Sequence, residues 1–279
     1  MFESLCKSMG PGLLLLVTSS CETIRNNEVI RAAYYPPVVK NAKALGPNTP
    51  GEEMDHLAYA SVLQQFVDEQ GLVDYAAMVE SPKRLQYYAF ELANIELGEF
   101  GRHEQLAILL NAYNVFTLQL LLEHPEVPSI MRIPDSKRWK ARRWRVGGID
   151  VSLKELEHEI IRREYMDPRI HFALVCGAKG SPKLRSEPYT GKNLDSQLDD
   201  QARYFFRQPS NFQWNPLKGV VKISELFDWY RSDYGKDEKL VLRALMPYLI
   251  PGQAQEIKER VDEIRIQYLN YDWSLNGKW

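Results

Sequence analysis

The chain has 279 residues, 44% hydrophobic and 26% charged, with a formal net charge of −2. That balance is rich enough to build a sizeable core and excludes general disorder. It also excludes bulk electrostatic binding to nucleic acid or to anionic lipid.

At the N-terminus, Lys7 precedes the apolar run Leu13–Val17, and Thr18-Ser19-Ser20-Cys21 follows. A basic residue, a short apolar core and small residues read as an export leader over residues 1–21. The run is too short to cross a bilayer, which needs roughly 20 apolar residues. The residues before Cys21 resemble a bacterial lipobox, although Thr18 stands where an aliphatic residue is expected. The expectation is a bacterial cell-envelope protein, periplasmic, either free or lipid-anchored at Cys21 with membrane association through the N-terminus. The alternative is a plain apolar N-terminus. If the leader is removed and Cys21 is blocked, Cys176 is the lone thiol of the mature chain.

Residues 22–55 read as a tether, punctuated by Pro36-Pro37, Gly46-Pro47 and Pro50-Gly51. Residues 56–279 read as a single domain without internal repeats. Helical spacing begins at Leu57, Ala60, Leu63, Phe66 and Val67, and Gly71–Tyr75 breaks it. A second helix is expected from about Lys83 to Asn94. The longest, His103–Glu123, is apolar over most of its surface and therefore buried. Glu104, Asn111 and Asn114 interrupt it on one face, since Asn111 falls about 20° and Asn114 about 80° from Glu104 at helical pitch. Such a trio either lines a cleft or hydrogen-bonds irregular backbone. In the second case Arg169 is a reasonable partner for Glu104.

Trp144-Arg145-Val146 and Ile149-Asp150-Val151 flank Gly147-Gly148, a two-residue hairpin. Ser152 and Glu155 form a capping box for a helix over about Leu153–Glu164. Ile170–Cys176 is a continuous apolar run with one histidine, the pattern of a buried strand. Gly177–Pro182 is a loop. Helices over Asn193–Phe206, Leu226–Tyr234 and Lys239–Leu249, with strands at Val220–Ile223 and Ile264–Tyr268, complete the chain. The fold class is α+β: helices packed around a small, mainly antiparallel sheet with the Ile170–Cys176 strand at its centre.

Several segments, taken in order, resemble the bacterial and plant family known as domain of unknown function 547. They are Gly71–Tyr75, Leu110–Asn114, Leu156-Glu157-His158, Asp167–Cys176, Tyr189-Thr190, Asn193-Leu194, Phe227–Tyr230 and Tyr271–Asn276. The resemblance runs from about residue 57 to the C-terminus and implies no activity. Ser181 stands where bacterial members usually place a second cysteine, so this chain lacks the pair that a two-thiol mechanism needs.

No His-x-x-x-His pair and no neighbouring cysteine supports a metal site, and no phosphate-binding glycine pattern supports a nucleotide. No cofactor is expected. The basic stretch Lys137–Arg145 could meet anionic glycan or phospholipid, or could be a solvated hairpin strand whose tryptophans cover the core; no nucleic-acid partner is expected.

Cys176 closes the apolar run beside a loop, where reactive groups often sit. A thiolate nucleophile needs an imidazole and an orienting group. His171 lies about 16 Å away along a strand and on its other face, so His158 is the better base. Glu157 or Asn111 would orient it. His171, Ser181, Arg169 and the trio Glu104, Asn111, Asn114 are candidate cleft residues. The leading expectation is a cysteine-dependent hydrolase or acyltransferase acting on an amide or ester. The alternatives are a small buried thiol with structural histidines, in a non-catalytic envelope module that binds a ligand or protein partner.

Overall fold

The run of apolar residues after Arg102 sets the architecture. In the computed structural model, which describes residues 53–279, it forms a helix of 21 residues, Arg102–Leu122. By length and apolarity this helix could cross a membrane, yet 89% of its most apolar window is buried by protein. It is the axis of the core. Packed on it are α2 (Tyr75–Glu80) and α3 (Lys83–Asn94), and α1 (Leu57–Phe66) packs in turn on α3; the central helix itself is α4. Short strand β1 (Val73–Asp74) precedes α2, and the Asp74 side chain caps that helix at Ala77 N–H.

Strands β2 (Trp144–Val146) and β3 (Ile149–Val151) form the expected antiparallel hairpin. Its turn needs positive φ at both central residues, supplied by Gly147 (56°) and Gly148 (74°). The Ser152–Glu155 capping box then starts a helical stretch, α5. It runs through Leu153–Glu155, a π-helical turn Leu156–Ile161, and Arg162–Tyr165. π-Turns insert a residue into the ladder and recur at functional sites.

The remaining elements build a phenylalanine-rich second centre. Helix α6 (Leu194–Arg207), α7 (Leu226–Trp229), α8 (Arg231–Tyr234), α9 (Glu238–Leu245) and α10 (Pro251–Glu259) accompany a three-stranded sheet. Its order is β4 (Phe212–Asn215), β5 (Val220–Ser224), β6 (Arg265–Leu269), antiparallel then parallel. Phe172, Phe205, Phe206, Phe212 and Phe227 pack together between them. Finally β7 (Gly277–Lys278) pairs in parallel with β1, tying the C-terminal segment to the first helices. The fold is α+β.

One expectation is corrected. Ile170–Cys176 is not a strand: Pro168–Phe172 is a 3₁₀ helix, and no ladder follows it. Asp167 starts the turn by accepting from Arg169 N–H at 2.9 Å. The backbone beyond is satisfied by side chains instead of a neighbouring strand. Asn114 takes Ala173 C=O and Val175 N–H, and Gln201 takes Phe172 C=O. An apolar run of this length reports burial and leaves the backbone conformation open. The leader over 1–21 and nearly all of the tether lie outside the described residues.

Candidate functional site

The two faces of α4 serve different ends. On one, Glu104 is buried and accepts hydrogen bonds from Met54 N–H (3.2 Å), His56 Nε2 (3.0 Å) and Gly191 N–H. Gly191 can approach because it has no Cβ; one there would sit 2.6 Å from the Glu104 backbone nitrogen. Burial opposes the Glu104 charge, but the His56 and Gly191 bonds outweigh it and hold the carboxyl below its ordinary value. His56 passes the contact on to the Tyr88 hydroxyl at 2.6 Å. Asn111 makes a reciprocal pair with Tyr189, donating to its C=O (2.8 Å) and accepting from its N–H (2.9 Å). Asn114 does the same for Ala173 and Val175. Of the two readings the spacing left open, the trio therefore takes the second: it ties irregular backbone to the core helix.

Arg169 does not join Glu104. Its guanidinium is taken by Asp167, Asp195 and Asp199 at 2.7–2.9 Å, carboxylates nearer in the fold. The arginines of the basic stretch are likewise committed. Arg138 is buried on the Ile133 and Met131 carbonyls, while Arg142, Arg143 and Arg145 pair with Glu123, Glu155 and Asp150.

The second polar cluster is built differently, side chain to side chain. The π-turn of α5 carries Glu157 and His158. Glu157 is buried and accepts from Tyr230 Oη (2.5 Å) and Tyr113 Oη (3.1 Å), and lies 3.8 Å from His158 Nε2. His158 is half-buried, and its Nδ1 accepts from Arg162 at 2.7 Å. That bond leaves the proton on Nε2, toward Glu157. Burial lowers the His158 pKa below its ordinary value; Glu157 opposes that and Arg162 adds to it. Arg162 also forks onto Asp233, which accepts from His171 Nε2 at 2.7 Å. His171 is buried and stacks on the Tyr230 ring, centroids 3.9 Å apart.

Cys176 stands at the edge of this network. It is half-buried, and its Sγ shares a hydrogen bond of 3.1 Å with Tyr271 Oη. Burial pushes the thiol above its ordinary value, and the Glu157 charge pushes the same way. Contacts with Tyr271, the Ala178 N–H and Ser181 pull back without prevailing. Ser181 is buried, its hydroxyl donating to Ala178 C=O at 2.5 Å. The structure thus gathers Cys176, Glu157, His158, His171 and Ser181 into one region, apart from Glu104, Asn111 and Arg169. Cys176 makes no hydrogen bond to His158; the lone pair a base would use is taken by Arg162.

Among the described residues no three His, Cys, Asp or Glu side chains converge in a way that could hold a metal ion. Sequence reasoning passed over Tyr113, Tyr230, Tyr271, Arg162 and Asp233. The tyrosines did carry a signal. Each sits in a segment that carries the resemblance: Leu110–Asn114, Phe227–Tyr230 and Tyr271–Asn276. Arg162 lies one helical turn beyond His158; Asp233 had no signal.

The comparison with family models agrees. Residues 97–206 match the family described as "Protein of unknown function, DUF547". This span includes α4, the π-turn and Cys176. Tyr230, Asp233 and Tyr271 reach the cluster from beyond the matched span. No curated protein and no solved structure matches the chain.

Proposed function

We propose that this cluster is the active site of a thiol-dependent hydrolase or acyltransferase acting on an amide or ester. The observation that carries the reading is a largely buried thiol, hydrogen-bonded to a phenol, at the edge of a buried carboxylate–phenol–imidazole network. Buried ionisable groups cost free energy unless they are used or paired, so they concentrate at reactive sites.

As sulfur attacks the acyl carbon, the thiol proton passes to Glu157 and the charge moves to the carbonyl oxygen. Tyr271 and the N–H groups of the loop after Cys176 can donate there. Collapse breaks the bond to the amine or alcohol, which leaves with the proton from Glu157. The thioester on Cys176 is then taken by water or by a second acceptor. Glu157 replaces His158 as proton acceptor, and neutral His158 positions the carboxylate. The export leader, the Cys21 anchor and an envelope substrate or protein partner belong to this proposal; Cys21→Ala should release the protein from the membrane fraction.

The test is acylation by p-nitrophenyl acetate. A burst of nitrophenol, with an acetyl group on Cys176 by mass spectrometry and none in Cys176→Ala, is expected. A folded protein that never acquires acetyl at Cys176 would contradict the reading and favour a non-catalytic binding module.

A further inference from the structure

Acyl chemistry needs Cys176, Glu157 and Tyr271, and it leaves two indoles packed beside Tyr271 unused. Trp229, at the end of α7, is 46% exposed. Its indole stacks on Trp273, with centroids 5.7 Å apart and planes 22° from parallel. Tyr271 closes the inner end, 4.9 Å from Trp229 and 4.6 Å from Trp273. This is the same tyrosine whose hydroxyl meets the Cys176 sulfur. Aromatic side chains are normally buried because each carries about 150–250 Å² of surface. An exposed indole stacked on a second, partly buried one, with a tyrosine leading inward to a reactive atom, marks a contact face.

The neighbouring groove narrows the choice of ligand. It is lined by Asp228, Arg231, Ser232 and Lys236 beside Trp229. Asp228 pairs with Arg231, so much of the charge is balanced and both donors and acceptors are presented. An anionic lipid surface needs uncompensated cations. A purely apolar ligand would strip water from these polar groups without replacing it. A sugar ring meets both demands: its C–H face lies on an indole while its hydroxyls bond the carboxylate, guanidinium and serine.

We propose that Trp229, Trp273 and Tyr271 form a saccharide subsite that presents an N-acylated sugar to Cys176. This deepens the acyl-transfer reading and rests on it for the reacting group. The amide carbon of the sugar bonds to sulfur and its C–N bond breaks. The amino sugar leaves with the thiol's proton, and water releases the acid from the thioester.

The experiment titrates chitotetraose, four N-acetylated sugars, into the full chain and follows tryptophan fluorescence. A saturable change is expected in the wild type and equally in Cys176→Ser. Trp229→Ala and Trp273→Ala should each weaken binding at least tenfold, and Trp229→Phe, which keeps a ring, should lose less. Bound chitotetraose should also shield Cys176 from iodoacetamide. No saturable binding, binding indifferent to both alanine variants, or equal affinity for maltotetraose would overturn the subsite. So would Trp229-dependent binding to anionic vesicles without binding to chitotetraose. Tryptophan-dependent binding that shields Cys176, with no acetyl transfer from p-nitrophenyl acetate, would keep the subsite and overturn the acyl-transfer reading instead.

Discussion

Two buried polar clusters flank the same helix, and they spend their hydrogen bonds in opposite ways. Around Glu104, Asn111 and Asn114, most partners are main-chain groups: Met54, Gly191, Tyr189, Ala173 and Val175. Around Glu157 and Cys176, the partners are tyrosines, histidines, an arginine and a second carboxylate. The first arrangement replaces the ladder that irregular backbone lacks, and each bond removed orphans a buried main-chain group. The second holds titratable groups against one another, where protons and charge can shift. Burial alone does not tell the two carboxylates apart; the identity of their partners does.

The largest effect should fall on the scaffold. Glu104→Ala leaves His56 and the Gly191 N–H without their acceptor, and should cost about 3 kcal/mol or more in denaturant unfolding. Asn111→Ala and Asn114→Ala each strand a main-chain N–H and C=O, at about 1–3 kcal/mol per orphaned group. Cys176→Ala, in contrast, should cost about 1 kcal/mol while removing acylation altogether. Equal losses at Glu104 and Cys176 would erase the distinction.

Acid should weaken both clusters. Glu104 is held below its ordinary value despite burial, by His56 and Gly191. Asp233 is also held down against burial, by His171 and Arg162. A carboxyl with a depressed folded-state pKa contributes stability above its unfolded value, roughly 4, and loses it as pH falls through the folded value. Wild-type stability should therefore decline below about pH 4. Asp233→Asn should flatten part of that decline in acid-titrated melts, and an unchanged slope would count against the Asp233 pairing.

Much of this was legible in the sequence because local chemistry was strong. The Gly147-Gly148 hairpin, the Ser152–Glu155 cap and the apolar face of α4 each follow from a few neighbouring residues. The trio on α4 was legible as a conflict, a carboxylate and two amides on a buried helix, but not as a solution. Their partners lie 48 to 87 residues away in sequence. The Ile170–Cys176 segment misled because its burial comes from the core while its backbone is satisfied by Asn114 and Gln201. At the thiol, Cys176 and Glu157 stood out by residue type. Tyr271, 95 residues from Cys176, could be placed only by the fold. The π-turn that turns Glu157 and His158 toward the tyrosines has no local spacing signature.

The smallest structural change gives the most direct test of a thiol coupled to Glu157. Iodoacetamide labelling of Cys176 in the folded protein should be followed across pH in the wild type, Glu157→Gln and Tyr271→Phe. Burial and the Glu157 charge hold the wild-type thiol above its ordinary value, so labelling should rise only at alkaline pH. Removing the charge in Glu157→Gln should move the rise to lower pH, and removing a hydroxyl that favours thiolate in Tyr271→Phe should move it higher. Labelling that occurs only after unfolding, or a profile that Glu157→Gln leaves unmoved, would contradict the account.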